Sequence, residues 1–318
     1  MKKLISLSVL CLLLLNLVGC SKQNTENELS VAIVPWIGFA PLYVAQEQGY
    51  FDELNLDVDI QVITDIGTVK SAIQSDKLDI SWGTGDMMPI FADSGLNLKA
   101  FYAIDWSNGG DGVVASEDYQ DWSDFEGVEF AAQEGFPPGN LFLYALEENG
   151  VDLSKVSIKE MDTSTAASAF KAGQVDVAAL YQPYLSAASE REGSSIFISS
   201  ADYPYVITDY LSAKPEVLEG KREQIKGLVE ALDKAISFIN SEKELAAEIS
   251  APFFGLEKQE ALDIFGDVVF PSLKENQELF NSEKINDTFS TFSNAMQKAG
   301  IIEKEVKPSD LFTTEIIN

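Results

Sequence analysis

The chain of 318 residues contains no histidine. That absence removes the usual general base of hydrolases, the Ser-His-Asp triad, the Cys-His pair and any histidine-based zinc site. Cysteine is nearly as scarce. Cys11 and Cys20 are the only two, so everything after residue 20 lacks a thiol for a disulfide, a nucleophile or a thiolate metal site. Arginine occurs only as Arg191 and Arg222, and Lys plus Arg total 22 against 51 Asp plus Glu. A surface this acidic repels phosphate backbones and anionic headgroups, which excludes nucleic acid as a partner. With 46% hydrophobic and 23% charged residues, the chain can build two domains with real cores and is too well mixed to be disordered.

The N-terminus carries Lys2 and Lys3, then an apolar run, then Leu17-Val18-Gly19-Cys20. This is the layout of a secretory signal, and the run is short for a permanent span of about 20 apolar residues. Leu-Val-Gly-Cys resembles the bacterial lipobox, whose cysteine becomes the lipidated first residue of the mature protein. Residues 1–19 are therefore expected to be removed, Cys20 to carry lipid, and residues 20–28, which lack large apolar side chains, to form a tether. Loss of Lys2 and Lys3 leaves 20 of the 22 basic residues against all 51 acidic ones.

From Leu29 onward, short apolar strands alternate with amphipathic helices. Leu29 to Val34, Val58 to Val62, Leu78 to Trp82 and Leu98 to Ile104 read as strands, and the last three of these are separated by helices around Val69–Ile73 and Met87–Ala92. The grammar repeats: strands at Gly112–Ala115, Val128–Ala132, Val156–Glu160 and Val175–Leu180, helices at Asn140–Asn149 and Thr165–Lys171. Strands at Ile196–Ser199 and Tyr205–Leu211 follow, and then Lys221–Asn240 places Ile225, Leu228, Val229, Leu232, Ile236 and Ile239 at helical spacing. The pattern predicts an α/β protein with mostly parallel sheets flanked by helices.

Chemical motifs fail one by one. Gly83-Thr84-Gly85 lacks the third glycine of a dinucleotide fingerprint and reads as a turn at a strand end. Asp105 to Asp111 resembles a calcium loop only superficially, because Gly109 and Ser116 stand where ligands are needed. Carboxylates for glycoside hydrolysis are abundant but unmarked by context. What stands out is the placement of aromatic residues: Trp36 with Phe39 and Tyr43, Trp82, Trp106, and Tyr181 with Tyr184 lie at or just beyond predicted strand ends, the edge where open α/β sheets bind ligands.

These stretches resemble the substrate-binding proteins of nitrate, sulfonate and taurine-type ABC importers, close to the thiamine-precursor binders. The resemblance rests on Trp36 to Ala45 with Gly49-Tyr50-Phe51, Lys77 to Ile80 before Trp82 to Met87, Asp105 to Val114, and Phe170 to Ala179 before Tyr181-Gln182-Pro183-Tyr184. It implies a two-lobed type 2 periplasmic-binding fold, with two crossovers near Gly112–Ser116 and Asp202–Thr208. Lobe one would combine residues 29–111 and 207–318, and lobe two residues 112–206. It also implies a monomer without metal or cofactor that binds a small molecule between the lobes and is recognised by a membrane permease with its ATPase. A sensor on the same clamp is the alternative. An enzyme like the related pyrimidine synthases would need histidine and cysteine chemistry absent after residue 20.

The resemblance places Trp36, Phe39, Tyr43, Trp82, Thr84, Asp86, Asp105 and Trp106 on one wall of the cleft. Phe136, Asn140, Tyr181 and Gln182 would form the other. Family members that bind oxyanions use a helix N-terminus after the strand matching Val128–Ala132. Here Pro137 and Pro138 remove two N–H donors from that position, and neither arginine falls at a predicted cleft edge. A neutral or cationic nitrogen compound stacked on tryptophan, with Asp86, Asp105 or Gln182 bonding to it, is expected ahead of a sulfonate.

Overall fold

In the computed structural model, residues 27–318 are described; the expected signal, Cys20 and most of the tether lie outside them. Eleven strands form two sheets among the described residues: β1 (Glu28–Ile33), β2 (Asp57–Val62), β3 (Ile80–Thr84), β4 (Lys99–Ser107), β5 (Asp111–Ser116), β6 (Glu129–Ala132), β7 (Ser157–Glu160), β8 (Val177–Tyr181), β9 (Ser194–Ser199), β10 (Thr208–Ala213) and β11 (Val268–Val269). The first sheet runs β11-β4-β10-β3-β1-β2 and the second β7-β6-β8-β5-β9. The chain passes from first to second at residues 108–110 and returns at 200–207, so Gly112–Ser116 lies inside β5.

Both sheets are mixed, which corrects the expectation of mostly parallel ones. β1 pairs parallel with β2 and β3, and β6 parallel with β7 and β8. The strands that enter each sheet from the crossings run the other way: β10 is antiparallel to β3 and β4, and β5 antiparallel to β8 and β9. A strand arriving from the opposite lobe enters at the cleft edge and runs away from it, whereas βαβ strands run toward it. This reversal brings Asp111, the first residue of β5, and Asp209, the second of β10, to the cleft edge where β3 and β4 end.

Local chemistry explains the helices. Asp65 caps Ile66–Gln74, its side chain accepting from the Thr68 N–H at 2.7 Å, and Asp162 caps Thr163–Lys171 in the same way. The long helix Arg222–Ser241 buries the periodic apolar residues from Ile225 to Ile239 against the helix Ala40–Glu47 and β1. Helix Pro137–Glu148 opens on two prolines, three residues earlier than its apolar pattern suggests, because proline is suited to the first helical turn.

One apolar core spans most of the chain, and a smaller cluster around Phe170 and Leu180 fills the outer face of the second sheet. Helix Pro137–Glu148 of the second lobe packs along Glu283–Ala299 of the first, with Tyr144 and Phe292 rings 5.0 Å apart. Among the described residues no helix is long and apolar enough to cross a membrane.

Candidate functional site

A cavity of about 260 Å³ lies between the two sheets, lined from the first by Trp36, Trp82, Thr84 and Asp209 and from the second by Asp111, Phe136 and Tyr181. It sits beyond the ends of β3, β4 and β8, the position where α/β sheets bind ligands. Thr84, Asp209 and Asp105 form a row across three neighbouring strands, since Asp209 is in register with Thr84 of β3 and with Asp105 of β4. Asp111 is the register partner of Tyr181.

Trp36 is held by its indole N–H, which donates to Asp105 Oδ2 at 3.1 Å. This contact passes directly over Gly38: a Cβ there would lie 1.4 Å from Asp105 Oδ2 and 2.4 Å from Trp36 Nε1. The glycine is therefore a space requirement of the site. Trp82 is fixed from the other side, its indole N–H donating to the Ile63 carbonyl at 3.3 Å. Both indole donors are thus used inside the protein.

The two crossings are stapled beneath the cavity. Ser107 and Ser200 hydroxyls are 2.8 Å apart, and Ser200 Oγ also accepts from the Gly109 N–H at 2.8 Å. A second interlobe link is made by Asn140, whose side-chain amide donates to Asp86 Oδ2.

Four aspartates, Asp86, Asp105, Asp111 and Asp209, are buried around this space, and no ion pair among the described residues involves any of them. Burial disfavours the charged form, so all four carboxyls are raised above their ordinary range, Asp111 to about 7. Asp105 is raised by burial and then by the neighbouring charge of Asp209. Among the described residues no group of His, Cys, Asp and Glu is arranged to hold a metal ion.

The residues singled out from the sequence divide clearly. Trp36, Trp82, Thr84, Phe136 and Tyr181 line the cavity. Asp86, Asp105 and Asn140 stand behind it as the supports just described. Phe39 is buried in the core, Tyr43 stacks on Phe253 at 4.1 Å, and Trp106 packs edge-on against Tyr205 at 4.9 Å. Gln182 accepts from the Ser186 N–H with its side chain and is not part of the lining. Asp111 and Asp209 were missed. The available signal was Asp209 itself, an acid within the apolar run Val206-Ile207-Thr208-Asp209-Tyr210-Leu211.

Residues 36–246 match the family model described as NMT1/THI5 like. The chain belongs to this family. Bacillus subtilis YtlA, named as a binding protein, is 25% identical over 319 aligned positions, covering 96% of this chain and 93% of YtlA. The periplasmic aliphatic sulphonate binding protein SsuA of Escherichia coli shares the fold with a TM-score of 0.73 at 16% identity, covering 90% of this chain and 92% of SsuA. The periplasmic nitrate-binding protein NrtA of Synechocystis PCC 6803 follows with a TM-score of 0.56 at 13% identity, covering 91% of each chain. The family resemblance and the two-lobed α/β architecture expected from the sequence both hold.

Proposed function

We propose that this chain is the solute-binding protein of an ABC importer of the nitrate and sulfonate type, held outside the cytoplasmic membrane by lipid on Cys20. The observation that carries the reading is the cavity itself, enclosed by side chains from both sheets and bounded by the Asp86–Asn140 link. A hinge built from two crossings stapled by Ser107 and Ser200 lets two rigid lobes close on a solute and expose a changed surface to a permease. Lobe one is taken as residues 29–111 with 207–318, and lobe two as 112–206. Trp36, Trp82, Thr84, Phe136 and Tyr181 contact the solute, and the protein acts as a monomer that binds without transforming its cargo. Membership of a family whose relatives are named as binding proteins supports this reading.

Native mass spectrometry of the purified protein is the direct test. A retained small-molecule mass that disappears on denaturation is expected. A bare mass, from cells grown on rich medium, together with no thermal stabilisation by a cell-extract metabolite fraction, overturns it. The anchor is tested separately: Cys20→Ala moves the protein from the membrane fraction to the soluble one, and unchanged retention rules the anchor out.

A further inference from the structure

Resting on the cavity as the solute site, we propose that the solute is an organic cation, its ammonium or amidinium N–H groups held by Asp111 and Asp209 and its apolar body packed on Trp36, Trp82, Phe136 and Tyr181. The lining contains no lysine or arginine. The helix that opens on the cavity begins with Pro137 and Pro138, so its first two positions offer no N–H to an anion. The indole donors of Trp36 and Trp82 are already bonded to Asp105 and to the Ile63 carbonyl. What the cavity presents is acceptors and aromatic faces, the combination that recognises a cation.

A second, independent observation points to an absent partner. Thr84 lines the cavity at 3% exposure and its hydroxyl has no hydrogen-bond partner. Buried polar atoms are normally paired, so the Thr84 hydroxyl is left for a ligand with polar groups of its own. Behind the lining, Asp105 and Asp86 add two further buried carboxyls to those that Asp111 and Asp209 present.

Solute capture is then linked to protons. The titratable groups facing Asp111 are Asp86, Asp105, Asp209 and Tyr181, none of them cationic. A cation favours the ionised carboxylates, so its binding tightens as pH rises through about 7 and releases protons.

Benzamidine, benzamide and benzoate share one planar frame and differ in charge, which makes them suitable probes. Tryptophan fluorescence and titration calorimetry in two buffers of different ionisation enthalpy are measured on the full mature chain. Benzamidine is expected to bind at pH 8 at least about tenfold tighter than benzamide, with proton release below pH 7, and benzoate least. Asp209→Asn and Asp111→Asn, each checked for folding by its melting curve, level benzamidine with benzamide. Benzoate or benzamide binding as tightly as benzamidine overturns the cation assignment, and so does failure of benzamidine to bind a protein that carries a native solute mass. A cavity-filling Thr84→Trp separates the two readings. Charge preference that survives in it removes the cavity as the site, whereas a benzoate preference in the unaltered protein that is lost in this variant leaves the cavity standing and the cation refuted.

Discussion

Asp105 of β4 and Asp209 of β10 are register partners on adjacent antiparallel strands, both buried, and the charge of Asp209 helps to hold the Asp105 carboxyl above its ordinary range. Two carboxylates so placed cannot both ionise cheaply away from water, so the pair retains a proton where free aspartates have lost theirs. The arrangement costs stability in the empty protein. A site that destabilises its own fold is a usual companion of function.

The first prediction follows from that cost. Between the ordinary carboxylate value of 3.8 and about 7, the folded protein holds protons at Asp111 and its neighbours that the unfolded chain has released. Stability contributed by these protonated groups is present at pH 4 and is lost as pH rises through 7. For Asp111 the full loss is on the order of 4 kcal/mol. Asp209→Asn removes one of the charges, so it should raise the melting temperature of the solute-free protein at pH 8 and change it little at pH 4. Equal effects at both pH values in a differential scanning experiment would refute the assignment.

Gly38→Ala tests the Trp36 anchor. The added methyl falls on the Trp36–Asp105 hydrogen bond, so either the indole or the carboxyl must move and leave a buried partner unsatisfied. A loss of about 1–3 kcal/mol is expected, with a red shift of tryptophan emission as Trp36 gains water. Unchanged emission and stability would show that the bond is dispensable.

Much of this fold was legible because periodicity is local. The helix Arg222–Ser241 buries the residues its spacing marked, and every expected strand from Leu29 to Leu211 has a counterpart. Strand direction was not legible, since it depends on which edge the chain meets after crossing between lobes. The cavity lining was legible where an aromatic lies at or just past a predicted strand end, as at Trp36, Trp82 and Tyr181. It was misread at Phe39 and Tyr43, four residues apart on one helical face, where the turn of the chain carries both away from the cavity. Asp111 and Asp209 were hidden for a related reason: an acid in a strand ordinarily faces water, and only the antiparallel register of β5 and β10 turns these two inward.

The interlobe links should differ sharply in worth. Asn140→Ala leaves the buried Asp86 carboxyl without its amide donor, costing about 1–3 kcal/mol and widening the gap between the lobes. The ion pair between Lys298 and Glu147 joins the same two lobes at the surface, where the lysine side chain is 58% exposed. Lys298→Ala should cost less than about 1 kcal/mol. Small-angle scattering reads the lobe separation and chemical melts read the stability; equal costs for the two substitutions would contradict the closure role given to Asp86 and Asn140.

Trp82 and Tyr43 supply the sharpest test of where the solute sits, because both are large buried aromatics and only one lines the cavity. Trp82→Ala removes a ring from the cavity wall, whereas Tyr43→Ala removes one that stacks on Phe253. Each truncation destabilises the fold by about 3–5 kcal/mol, so stability alone does not separate them. Affinity for the solute released from the native protein does: Trp82→Ala should weaken binding by about 1–3 kcal/mol and Tyr43→Ala by less than about 0.5. The measurement is made well below the melting temperature of both variants, so that folding losses do not enter the binding constant. If Tyr43→Ala weakens binding as much as Trp82→Ala, the solute lies nearer the Ala40–Glu47 helix than the cavity between the sheets, and the lining residues named above are the wrong ones.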